Sequence, residues 1–212
     1  LVGDFLFVQG FGLGANHDSI VVHLVTECCA GIASSELLQV NQMRNIDASL
    51  QTYFDIILGK TAGPFATSCQ VGAYLAGADQ DVMDRLFEIG LEIGIAFQLS
   101  DDLLDLTGGK NLGKGQCMDL FEGKYTMPVL HAINTLEGDD RAKLLDMIQH
   151  FHKRHINETL RLIELSGGFD VTSDEVNRRL SKAKSLLTDV AGPSISRDTI
   201  CSLLKYLVER KA

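Results

Sequence analysis

The run between Leu86 and Leu106 limits the folds open to this chain. Leu86, Phe87, Ile89, Leu91, Ile93, Ile95, Phe97, Leu99, Leu103, Leu104 and Leu106 cover most of the circumference of a helix, so that helix has to be largely buried among others. The chain sets three carboxylates into the end of this run: Asp101, Asp102 and Asp105. Asp101 and Asp105 are four apart and share a face, with Gln98 three before Asp101 on the same side. Asp102 points about 100° away and borders that face. Like charges at this spacing repel, and burying them unpaired costs far more than leaving them in water. Something positive must face them. An all-oxygen cluster without His or Cys suits a hard cation such as Mg2+. A solvated helix end is the plainer reading of an acidic triplet. The apolar helix before it and the Gly/Lys loop after it favour the cation.

The rest of the chain supplies the surrounding helices. Segments 1–14, 18–44, 47–76, 80–107, 119–136, 139–151, 154–167, 173–190 and 196–210 all carry apolar residues at helical spacing, joined by short connections rich in Gly, Asp or Asn. No run alternates with period two for long enough to make a strand. The expected fold is therefore all-α, a single-domain helical bundle of 212 residues with 45% hydrophobic content to fill its core. The longest apolar runs are interrupted short of a membrane span, and no secretory signal is visible, so a soluble, cytoplasmic protein without a transmembrane segment is expected. Five cysteines without metal spacing read as small buried residues in a reducing compartment. A net charge of −9 argues against nucleic acid as a partner. An acidic protein that handles anionic substrates has to bring cations to the site itself. The apolar pattern begins directly at Leu1, which is not Met, and this reads as a chain whose N-terminal part is missing.

Other features bear on the acidic stretch. After Asp105 comes the loop Gly108-Gly109-Lys110-Asn111-Leu112-Gly113-Lys114-Gly115-Gln116, and Lys124 follows shortly. Lysine serves phosphate as a mobile point charge, though either lysine alone reads as ordinary surface. The Gly-Lys-Ser/Thr order of a nucleotide P-loop is absent. Pro64 lies inside a helical pattern and offers no N–H to the Lys60 carbonyl four residues back. A kink at 60–64 is expected, turning the Lys60 carbonyl and the Thr61 hydroxyl towards Asp101 and Gln98. Gly90 and Gly94, four apart, predict close approach by a neighbouring helix. Glu36 and Gln39 near a helix end read as exposed polar residues, and the cluster His150, His152 and His155 as an exposed helix end.

Several stretches occur in a telling order: Gly3-Asp4-Phe5-Leu6, Gly59-Lys60-Thr61-Ala62, Phe97-Gln98 before Asp101-Asp102-Leu103-Leu104-Asp105, Leu112-Gly113-Lys114, Asp119-Leu120 with Glu122-Gly123-Lys124, and finally Tyr206 with Arg210. Over essentially the whole chain they resemble the trans-isoprenyl diphosphate synthases, or polyprenyl synthetases, most of all the bacterial octaprenyl-type long-chain members. The resemblance implies the isoprenoid synthase fold around a central cavity. It implies a prenyltransferase that joins an allylic prenyl diphosphate to isopentenyl diphosphate with Mg2+, working as a homodimer. By this likeness Asp101, Asp102 and Asp105 form the metal site, with Asp102 in support. Lys60, Lys114 and Lys124 bind the allylic diphosphate. Thr61 and Gln98 present oxygens to the developing cation, so that Lys60, Thr61, Gln98 and Asp101 carry the catalysis. The family's first aspartate-rich motif and the arginine pair after it are not among residues 1–212. The chain is thus expected to be a polyprenyl synthetase domain lacking its N-terminal helices. Two other readings stand beside this one, a non-catalytic or regulatory subunit of a heteromeric prenyl synthase and a class I terpene synthase or cyclase.

Overall fold

The computed structural model describes residues 2–14, 16–108, 115–192 and 194–209. The described residues form helices joined by short turns, with no strand among them. In chain order the helices are α1 (Val2–Gly14), α2 (Ser19–Gln42), α3 (Leu50–Ile57), a π-helical turn (Leu58–Ala62), α4 (Gly63–Leu75), α5 (Gln80–Thr107), α6 (Met118–Glu122), α7 (Met127–Thr135), α8 (Gly138–Gln149), a 3-10 turn (Lys153–His155), α9 (Ile156–Leu165), α10 (Gly168–Val190) and α11 (Ile195–Glu209). Short polar side chains start several of them. Asp18, Ser49 and Asp79 each accept hydrogen bonds from backbone N–H groups of the first turn, at the starts of α2, α3 and α5.

The 28-residue α5 is the axis of the bundle and packs chiefly against α4 and α10. Its contact with the π turn and α4 depends on two missing side chains. A Cβ built on Gly94 would stand 2.5 Å from the Ala62 Cα, and one on Gly90 would stand 2.5 Å from the Ala66 Cα. The close helix approach expected from this pair is what the structure contains. Where a kink was expected at 60–64, the helix makes a π turn over Leu58–Ala62. There the Gly63 N–H reaches back five residues to the Leu58 carbonyl, and Pro64 stands in the first turn of α4, where its missing N–H costs least.

The contact of α5 with α10 holds a buried charge. The Glu92 side chain is 6% exposed and receives Arg179 Nη1 at 3.2 Å and Lys182 Nζ at 2.8 Å from α10. The Arg179 guanidinium also lies 5.5 Å from the centre of the Phe54 ring on α3. Breaking such a pair leaves a carboxylate short of its partner inside the bundle. Arg179→Ala is expected to lower unfolding free energy by about 3 kcal/mol, read from the midpoint of a urea titration.

Several boundaries, and the apolar length of α2, differ from the sequence expectation. The segment 119–136 is two helices, because Gly123 takes a left-handed φ of 80° and ends α6. The helix expected from 173 begins at Gly168, after Gly167 at φ 77° closes α9 and the Ser166 hydroxyl accepts the Gly168 N–H. The segment 47–76 is divided by the π turn. α2 is long and apolar enough to cross a membrane by length and composition, where the sequence reading found no run of that length. In the structure it packs against the π turn and α4 while Ile20, Leu37 and Val40 stay exposed.

Candidate active site

A cavity of about 620 Å³ opens where the last turns of α5 meet the end of α2, α3, the π turn and α6. Its charged wall carries Lys60, Gln98, Asp101, Asp102, Asp105, Asp119, Glu122 and Lys124. Its lining also includes the apolar side chains of Met43, Ile56, Ile57, Leu104 and Leu130, among others. Gln98, Asp101, Asp102 and Asp105, singled out from sequence, therefore share one space with Lys60 and Lys124. Lys114 lies outside the described residues, as does most of the loop around it.

The acids occupy different environments. Asp105 is half-buried and accepts the backbone N–H groups of Met118 at 2.9 Å and Asp119 at 3.2 Å, so it caps the start of α6. Burial pushes its carboxyl above the ordinary range, while those two N–H groups pull it back. Burial and the neighbouring Asp105 charge push Asp119 up to about 6 against the pull of Lys124. Asp102 is 2% exposed. Its Oδ2 accepts the Tyr53 hydroxyl and its Oδ1 accepts Gln98 Nε2 at 2.8 Å. Burial drives its carboxyl up to about 8, with the bonds from Tyr53 and Gln98 acting in the opposite sense. Both Asp102 oxygens are thus taken by the protein. Asp102, which the resemblance puts in support of Asp101 and Asp105, lines the cavity while tied to Tyr53 and Gln98.

Lys60 stands on the π turn and is held by α2. Its Nζ lies 2.9 Å from Glu36 Oε1 and 2.9 Å from Gln39 Oε1. Glu36 and Gln39 are therefore not idle surface polars. The three-residue spacing that put them on one face was the available signal, and a lysine 21 positions beyond Gln39 gives it meaning. Lys124 lies 2.5 Å from Glu122 Oε2 and 3.9 Å from Asp119 Oδ1. It follows the left-handed Gly123, whose missing Cβ makes room for the Arg44 side chain; a Cβ there would meet Arg44 Cγ at 2.6 Å. The Thr61 hydroxyl donates to Gln98 Oε1 at 2.8 Å. Tyr53 is the residue that sequence reasoning missed, because nothing in a single helix shows a partner 49 positions away. The histidine cluster stays apart from the cavity: His152 is exposed, and its ring centre lies 5.6 Å from that of His155.

Five carboxyl groups and two ammonium groups line the cavity among the described residues. An anion entering this space alone meets a surplus of negative charge. Among the described residues, no three His, Cys, Asp or Glu side chains form a group that could hold a metal by themselves. One or two carboxylates completed by substrate phosphates and water are, however, the donor set that Mg2+ takes. Asp101 and Asp105 on one cavity wall fit that set.

Residues 1–164 match the family model described as polyprenyl synthetase. The chain is 31% identical to the octaprenyl diphosphate synthase of Escherichia coli K12 over 99% of its own length and 66% of that protein's. It is also 31% identical to the prenyl transferase of Cyanophora paradoxa over 99% of its length and 64% of the relative's. Among solved structures, the polyprenyl synthase of Caulobacter crescentus CB15, determined with calcium and isoprenyl diphosphate, superimposes with a TM-score of 0.92 at 32% identity, covering 100% of this chain and 65% of that one. The chain thus spans just under two thirds of the length of these relatives.

Proposed function

The chain belongs to the polyprenyl synthetase family, and on that premise we propose that it serves a trans-polyprenyl diphosphate synthase, which condenses an allylic prenyl diphosphate with isopentenyl diphosphate and releases pyrophosphate. The observation that carries this reading is the cavity itself, in which acids outnumber lysines and apolar side chains complete the lining. A diphosphate can occupy such a space only with divalent cations between it and the carboxylates. The proposed cofactor is Mg2+, held by Asp101 and Asp105, with Asp102 orienting its neighbours from behind. Bound there, it would neutralise charge on the departing pyrophosphate.

The chain's own residues do the rest. Lys60 and Lys124 supply point charges for the allylic diphosphate oxygens, and Lys114 is proposed to join them. Lys60 reaches the diphosphate by exchanging its carboxylate and amide partners on α2 for phosphate. Thr61, Gln98 and the Lys60 carbonyl give partial negative charge to the allylic cation left when the carbon–oxygen bond breaks. The apolar side chains of the lining keep water from that cation. The double bond of isopentenyl diphosphate then attacks, a proton is lost, and the product is longer by one five-carbon unit.

Labelled isopentenyl diphosphate, an allylic primer and Mg2+ test the proposal on the full-length protein. An elongated prenyl diphosphate is expected. A cyclic hydrocarbon would instead make it a cyclase, and product only when a second subunit is added would make it one component of a heteromeric enzyme.

Assembly as a homodimer is part of the same proposal. α1 and α2 expose Val2, Phe5, Leu6, Val8, Leu13, Ile20, Leu37 and Val40, more apolar surface than a monomer leaves in water. Sedimentation at micromolar concentration should give twice the monomer mass. A single monomeric species there would remove the homodimer from the proposal.

A further inference from the structure

Four side chains from three elements form one hydrogen-bonded chain beside the cavity. The Tyr53 hydroxyl donates to Asp102 Oδ2, Gln98 Nε2 donates to Asp102 Oδ1 at 2.8 Å, and the Thr61 hydroxyl donates to Gln98 Oε1 at 2.8 Å. Every link points the same way, from the outer donors towards Asp102. The direction has a consequence for the two residues at the far end. A glutamine amide has one accepting and one donating end, which a half-turn exchanges. Asp102 Oδ1 accepts, so the NH2 end of Gln98 is committed to it and the oxygen is turned to Thr61. The Thr61 hydroxyl then spends its only proton on Gln98, so the Thr61 oxygen and Gln98 Oε1 have only lone pairs left to offer, and the second N–H of Gln98 stays at the Asp102 end of the amide. This polarity is the same whether the proton between Tyr53 and Asp102 sits on one oxygen or the other, because Oδ1 accepts in both cases.

Tyr53 anchors the chain. It is 6% exposed, on α3, and its ring stacks edge-on against Phe54 with centroids 5.4 Å apart, so its hydroxyl is held in place. We propose that Tyr53 is a positioning residue for prenyl transfer: through Asp102 it fixes the direction of the Gln98 amide, and through Gln98 that of the Thr61 hydroxyl, so that the Gln98 and Thr61 oxygens, and not the amide NH2, are the ends turned to developing positive charge. The proposal rests on the prenyl-transfer reading for what those lone pairs do. The relay itself rests on the hydrogen bonds alone. Without the Tyr53 hydroxyl, Asp102 can turn, the Gln98 amide can reverse, and an N–H dipole then faces the cation.

Tyr53→Phe in the full-length protein tests this, since it keeps the ring and removes only the hydroxyl. The expected result is a fall in kcat of about 10- to 100-fold, the usual effect of removing a group that orients an active-site residue. KM for both diphosphates should change by less than about threefold, because binding falls to the lysines and the cation. Gln98→Ala should lower kcat as well, and Tyr53→Phe added to Gln98→Ala should then have no further effect. A kcat within about twofold of the parent, or a full additional loss in the double variant, overturns the proposal. A second readout needs no turnover. The Gln98 side-chain NH2 pair in 15N-resolved spectra, identified by its disappearance in Gln98→Ala, should exchange slowly in the parent protein and rapidly in Tyr53→Phe. Equal exchange in both overturns the relay even in a protein that makes no prenyl product, whereas slow exchange lost in Tyr53→Phe without any product upholds the relay and rejects only the function.

Discussion

Asp101→Ala is expected to lower prenyl transfer about 1,000-fold, equivalent to roughly 4 kcal/mol in the transition state. Asp101 lines the cavity beside Asp105 and is not part of the buried core, so the fold should survive. The sign of a second effect separates a cation site from a solvated acidic helix end. The cavity already holds more carboxylates than lysines, so deleting one of them from a purely electrostatic surface would strengthen binding of an anionic substrate. Deleting a cation ligand weakens Mg2+-dependent binding instead. Steady-state kinetics across a Mg2+ titration reads both: the maximal rate should fall, and the Mg2+ concentration needed for half of it should rise.

The second large effect belongs to a residue without a side chain. Gly94→Ala is expected to leave a folded protein and to lower kcat about 100-fold. The added Cβ would stand 2.5 Å from the Ala62 Cα and 3.3 Å from the Ala62 nitrogen, both backbone atoms that cannot swing aside. Ala62 ends the π turn that carries Lys60 and Thr61, so the turn has to move away from α5. A shift of about 1 Å in catalytic groups is enough for a loss of this size. Stability should change less than activity, because alanine gains about 1 kcal/mol over glycine in a helix interior and so offsets part of the steric strain. The comparison to make is kcat beside the urea midpoint of the same sample. An unchanged kcat would mean that the placement of the π turn does not set the rate.

How much of this was legible in the sequence depended on whether a feature was local. The limits of α5 follow from its own residues: Asp79 caps the start, the apolar repeat runs through, and Gly108 stops it, so 80–107 and Gln80–Thr107 coincide. The Gly90 and Gly94 approach was readable because two glycines on one face of a buried helix have few other uses. The break at Gly123 was not, because it lies inside a continuous apolar pattern and Arg44, distant in the chain, packs over it. α10 began earlier than expected because 168–172 read as a connection before Ser173, whereas the chain turns at Gly167, with its positive φ, and is helical from Gly168.

The site shows the same division. Helix spacing placed Gln98, Asp101 and Asp105 on one face, but it could not show that Asp102 meets a tyrosine from α3. Nor could it turn Glu36 and Gln39 from surface polars into the seat of Lys60. Those pairings are properties of the assembled bundle. They appear only when helices distant in sequence are laid side by side.

Calorimetric titration with inorganic pyrophosphate tests the assignment of the cavity most directly. Pyrophosphate is the group the site is proposed to hold, and neither prenyl chain nor turnover is needed to see it bind. Binding is expected with Mg2+ present, to be lost in chelator, and to be weakened in Asp101→Ala, because the carboxylates admit the anion only through the cation. Pyrophosphate binding of equal strength without divalent metal, unaffected by Asp101→Ala, would contradict a metal-bridged diphosphate site.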